Sequence, residues 1–213
     1  MKNIGRIVMV VLSLSIGAYA FTFLDFKIKS ILQTKGELAQ VLLYQIGFYS
    51  HVIGGGIALM TGAFQFFPKF RQKRITWHRF LGRIYVIACA WGGISGLGIA
   101  LYATGGPLAK VGFTGLALLW LYTTTMAYTT IKQRNVEAHR EWMLRSYALT
   151  FAAVTLRLQL PFYMSVLAMD FYTAYRMVSW SCWVPNLLLI EWFIQRQPKV
   201  FTNWIPSIQN SKC

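Results

Sequence analysis

Six apolar stretches of about twenty residues dominate this chain, near 4–24, 44–67, 80–103, 111–131, 143–165 and 177–195. About 20 apolar residues form a helix that crosses the hydrocarbon core of a bilayer. Lipid offers no partner to backbone N–H and C=O groups, so such a chain must fold as an all-α, polytopic helix bundle. Composition agrees: charged residues make up only 13% of the sequence and hydrophobic ones 56%, against about 25% charged in a soluble domain. A single integral membrane domain is expected over 1–213. It divides into an N-terminal anchor (1–30), a four-helix core (44–165), a last span (177–195) and a cytoplasmic tail (196–213).

The first segment reads in two ways. Lys2 and Arg6, an apolar run and Ala18-Tyr19-Ala20 have the layout of a signal peptide with its cleavage site. The apolar run continues through Phe21, Phe23 and Leu24, which favours an uncleaved anchor helix.

Basic residues set the orientation. With the N-terminus in the cytoplasm, 15 of the 21 Lys and Arg residues fall on the inside, chiefly in the 69–83 and 132–145 connections, and 5 fall outside. This satisfies the positive-inside rule and places both termini in the cytoplasm. The net charge of +15 therefore reflects topology and contact with anionic lipid headgroups, and nucleic acid is not an expected partner.

Arg157 is the remaining cation. It lies within the run Tyr147 to Pro161, at bilayer depth, where an arginine costs roughly 3 kcal/mol by insertion scales. It must face protein, water or a ligand. His51 is the other rare polar group of the membrane interior, on a helix face shared with Gly47, Gly54, Ala58, Gly62 and Gln65. Both lie roughly 10 Å below the outer surface, judged from the helical rise. A pocket opening outward is expected, with His51 and Arg157 at its centre and Gln65 and Gln159 as further ligand contacts. The alternative is that each residue bonds to backbone and merely ties helices together.

Small residues recur every four positions at Gly54, Ala58 and Gly62, and again at Ala88, Gly92, Gly96 and Ala100. That period lets helix backbones approach closely in lipid. A weak repeat is also visible: His78-Arg79 opens the third span and His139-Arg140 the fifth.

These histidines belong to the inner end. They are read either as solvated interfacial residues or as the two axial ligands of one b-type haem, with Arg79, Arg83, Arg140 and Arg145 meeting its propionates. His51 lies about 20 Å away in depth and cannot complete a pair with them. Three histidines thus allow at most one bis-histidine haem. Cys89, Cys182 and Cys213 are scattered, with no disulfide or zinc spacing, and no nucleotide-binding, metalloprotease or nucleophile-elbow motif occurs.

Several pieces together resemble a known family. They are His51 with Gly54-Gly55-Gly56, Gly62-Ala-Phe-Gln65, Trp77-His78-Arg79-x-x-Gly82-Arg83-Ile-Tyr85, Trp120, His139-Arg140-x-Trp142-Met-x-Arg145-Ser146 and Thr155-Leu-Arg157. Over about 44–165 the chain resembles bacterial multi-spanning membrane proteins known only as domain of unknown function 2306. The resemblance implies a multi-pass protein of a bacterial plasma membrane with a shared set of polar positions, and no reaction. Three functions compete. The first is binding or movement of a small anionic or quinone-like molecule, which with six spans suggests a homodimer. The second is electron transfer through one haem. The third is assembly or lipid interaction without chemistry.

Overall fold

Apolar runs this long gain their backbone hydrogen bonds within the segment, and each of the six stretches forms helix. The computed structural model describes residues 2–24 and 33–196, and every regular element among them is helical. The expected tail beyond 196 and the loop residues Lys27 and Lys29 lie outside the described residues. In chain order the helices are α1 (Lys2–Phe21), α2 (Leu42–Phe64), a short α3 (Pro68–Lys73), α4 (Ile75–Ala100) and α5 (Pro107–Lys132). They continue as α6 (Val136–Thr150), α7 (Ala152–Ser165), α8 (Phe171–Ser181) and α9 (Val184–Gln195).

Among the described residues four segments are long and apolar enough to cross a membrane: Ile4–Phe21, Leu42–Phe64, Ile75–Ala100 and Phe171–Gln195. Helix α5 and the α6–α7 rod are more polar, with a run of threonines in the first and Arg145 and Arg157 in the second. Large apolar side chains point outward around the bundle, among them Leu43, Ile87 and Ile94, at 78%, 65% and 66% exposure. Such a surface is unfavourable in water and suits lipid.

The interior is built from small and polar side chains. Helices α2 and α4 touch backbone to backbone: a Cβ on Gly54 would lie 2.8 Å from the Cα and N of Gly92. Farther along α2, a Cβ on Gly62 would strike the rings of Tyr147 and Tyr85, at 2.6 and 2.7 Å. Helix α1 lies along α2, with Gly17 leaving room for Met60, and buries Ser13, whose hydroxyl pairs with that of Tyr147 at 2.7 Å.

Two expected spans are jointed. The rod expected over 143–165 turns at Phe151, where Val154 N–H bonds Phe151 O at 2.9 Å and tightens one turn between α6 and α7. The last span breaks at Cys182–Trp183, between α8 and α9. Pro185 explains the second joint, because it supplies no N–H to Ser181 O four residues earlier. Gln159 Nε2 on α7 donates to that carbonyl at 3.3 Å, and Asn186 Nδ2 donates to Cys182 O at 2.9 Å.

Candidate functional site

The break in α8–α9 disposes of one expected ligand contact. Gln159 also accepts from Ser181 Oγ at 2.9 Å, so its amide fastens α7 to α8 instead of facing His51. Gln65 ends α2, fourteen residues or about 21 Å beyond His51. Neither glutamine joins the arginine.

His51 and Arg157 do line one cleft, between α1, α2 and α7, with Ile16, Ala20, Gly55 and Ala153 among its walls. Its volume is about 50 Å³. His51 Nδ1 donates to Gly92 O on α4 at 2.8 Å, a carbonyl that can only accept, so Nε2 is the ring's remaining polar atom. Gly96 makes this possible: a Cβ there would lie 2.6 Å from His51 Nδ1. The glycine ladder of α4 therefore serves two purposes, backbone contact at Gly92 and ring clearance at Gly96. Arg157 donates from Nη1 to Ala153 O at 3.0 Å, one turn back on its own helix. Among the described residues no carboxylate pairs with it.

At the opposite end, His78 and His139 occupy matching places. Each is the fourth residue of its helix and makes the first backbone bond to the cap, to Arg74 O and Asn135 O, both at 3.0 Å. His139 Nδ1 donates to Ala127 O at 2.7 Å. Arg145 is already engaged, forming a two-pronged pair with Glu191 on α9 and lying over the Trp142 ring at 4.6 Å. A carboxylate of the chain thus holds the group expected to meet a propionate, while Arg79, Arg83 and Arg140 are exposed. No group of three metal-ligating side chains occurs among the described residues.

Between these ends lies a cluster that sequence reasoning missed. Tyr85 hydroxyl, fully buried, meets Ser146 Oγ at 2.7 Å and Thr150 Oγ1 at 2.9 Å. Thr124 Oγ1 joins Ser146 at 2.7 Å, and Trp120 Nε1 donates to Thr150 at 2.8 Å. Helices α4, α5 and α6 are pinned by these bonds. The available signal was the repeat: Tyr85 follows His78 by seven residues, as Ser146 follows His139. Every hydroxyl here is bonded to a neighbour, and none is paired with a base that would make it a nucleophile.

No curated protein matches the chain, and no solved structure does. A family profile described as "Predicted membrane protein (DUF2306)" matches residues 48–194, from α2 to α9. Its range takes in both histidine ends, the hydroxyl cluster and Arg157, and so the chain belongs to the DUF2306 family of membrane proteins.

Proposed function

We propose that the protein crosses the membrane six times, with both termini in the cytoplasm, and binds a small anion in the cleft between His51 and Arg157. One observation carries the reading. Among the described residues the guanidinium bonds a carbonyl of its own helix and meets no carboxylate, and it shares a cleft with an imidazole. Charge in a low-dielectric interior is costly without a counter-charge, and a bound anion would supply one. Size selects the ligand. A cleft of about 50 Å³ has room for a few waters or an ion of similar bulk, whereas sites for drug-sized molecules are about 300–1,000 Å³. Chloride, formate or bicarbonate suits this space. Retention of α1 is part of the proposal, since Ile16 and Ala20 form one wall.

The test is thermal unfolding of the purified chain across a series of these anions, with Arg157→Leu beside it. The expected result is a midpoint that rises with one anion in the parent and does not respond in folded Arg157→Leu. A variant that is more stable and equally responsive would make Arg157 a structural residue and end the proposal. The second reading, a haem between His78 and His139, draws on the free Nε2 that His139 retains once Nδ1 is bonded. It requires a reduced-minus-oxidised b-type spectrum that disappears in His139→Ala.

A further inference from the structure

Two buried polar atoms have no hydrogen-bond partner among the described residues: Gln65 Nε2 and His78 Nδ1. Gln65 is 6% exposed, so its amide nitrogen is hidden from solvent as well as from protein acceptors. Such groups are rare in native interiors, and each calls for a ligand, an ion or water. Both belong to the same end of the bundle. Gln65 Oε1 lies over Gly82, 3.7 Å from where a Cβ would stand, and Gly82 is one turn beyond His78 on the same face of α4. The ionisable groups near enough to act on His78 are Arg71, Arg79 and His139, with no carboxylate among them.

We propose that this end of the bundle, between Gln65, His78 and His139, is a phosphate-binding site distinct from the His51–Arg157 cleft. An amide N–H is a donor only, and the His78 ring donates as well in the tautomer that carries its proton on Nδ1. A phosphate group has enough acceptor oxygens to meet Gln65 Nε2, His78 Nδ1 and an arginine together. The short α3, with Arg71 and Lys73 in its last turn, and the exposed Arg74, Arg79 and Arg83 make this stretch of chain strongly positive. Two sources present this chemistry: free inorganic phosphate and the headgroup of an anionic phospholipid. The inference does not depend on what the outer cleft binds.

The experiment is thermal unfolding of the full chain in three settings: detergent with inorganic phosphate, phosphatidylglycerol nanodiscs and phosphatidylcholine nanodiscs. Parent, Gln65→Leu, Gln65→Glu and Arg157→Leu are compared. At saturation the parent midpoint should rise by about 5 °C with phosphate or with phosphatidylglycerol relative to phosphatidylcholine. A response to phosphate in detergent identifies the free ion, and a response confined to phosphatidylglycerol identifies the headgroup. Gln65→Leu removes the orphaned donor and should fold with equal or higher stability but lose the response. Gln65→Glu should lose it through repulsion, and Arg157→Leu should keep it. A response retained in both Gln65 variants, or lost only in Arg157→Leu, would overturn the site, as would no response in the parent.

Discussion

The two helical hairpins at the heart of the bundle solve one problem in different ways. Lipid tails are as apolar as leucine, so helices do not associate in a membrane by the hydrophobic effect. The α2–α4 pair relies on shape, with Gly54 against Gly92 and the Tyr85 ring seated beside Gly62. The α5–α6 pair relies on hydrogen bonds, through Thr124–Ser146 and Trp120–Thr150. Contact by shape has a steep repulsive wall and almost no tolerance for added atoms. Contact through hydroxyls is more forgiving, because the partners of a lost bond are small and also bond to their own helix carbonyls, as Thr124 does to Trp120 O at 2.8 Å.

The largest effect should come from the shape-based pair. Gly54→Leu drives a side chain into the Gly92 backbone and should cost about 3 kcal/mol or more, read as loss of folded protein in detergent. If it were tolerated, the two backbones would not be in contact. Thr124→Val tests the other device. It removes the hydroxyl bond to Ser146 while leaving the branched shape in place, and should cost about 1–2 kcal/mol in chemical unfolding. A cost equal to that of Gly54→Leu would erase the contrast between the hairpins.

Asn135→Ala addresses the turn of the second hairpin, where the Asn135 side chain accepts from Ala138 N–H at 3.0 Å and caps α6. A loss of about 1 kcal/mol is expected. A markedly larger loss would mean that the hydroxyl pairs depend on the cap for their register. The smallest effect concerns a helix outside both hairpins. The Thr173 side chain and backbone N–H hold the Asp170 carboxyl below its ordinary range at the start of α8. A lowered folded value stabilises above the ordinary carboxylate range, and that contribution fades as pH falls through the folded value. The acid limb of a stability profile should therefore flatten slightly in Asp170→Asn, with both hairpins unaffected.

Much of this contrast was legible in the sequence on one side only. The glycine ladders of α2 and α4 announce close contact because no other residue type serves that purpose at that period. His51 and Arg157 could be placed at one depth because polar residues are rare in the spans and the helical rise is constant. The hydroxyl cluster was not legible, because Ser and Thr are frequent in membrane helices and helix order does not follow from topology. Thr124 lies in a threonine run of α5 that carries no pairing signal of its own, and Ser146 enters only as part of a family motif. The joint at Phe151 carries no Pro or Gly to announce it. The joint before Pro185 was foreseeable, but not that Gln159 from another helix would occupy the freed carbonyl.

That occupied carbonyl has a mechanical consequence. Gln159 stands two residues from Arg157 on α7, and the bond it makes is anchored at the elbow of α8–α9. From the α9 side, Asn186 Nδ2 donates to Thr155 Oγ1 at 3.0 Å, so both arms of the elbow are fastened to the helix that carries Arg157. With Arg145 gripping Glu191 farther along α9, the guanidinium in the cleft stands on a braced strut.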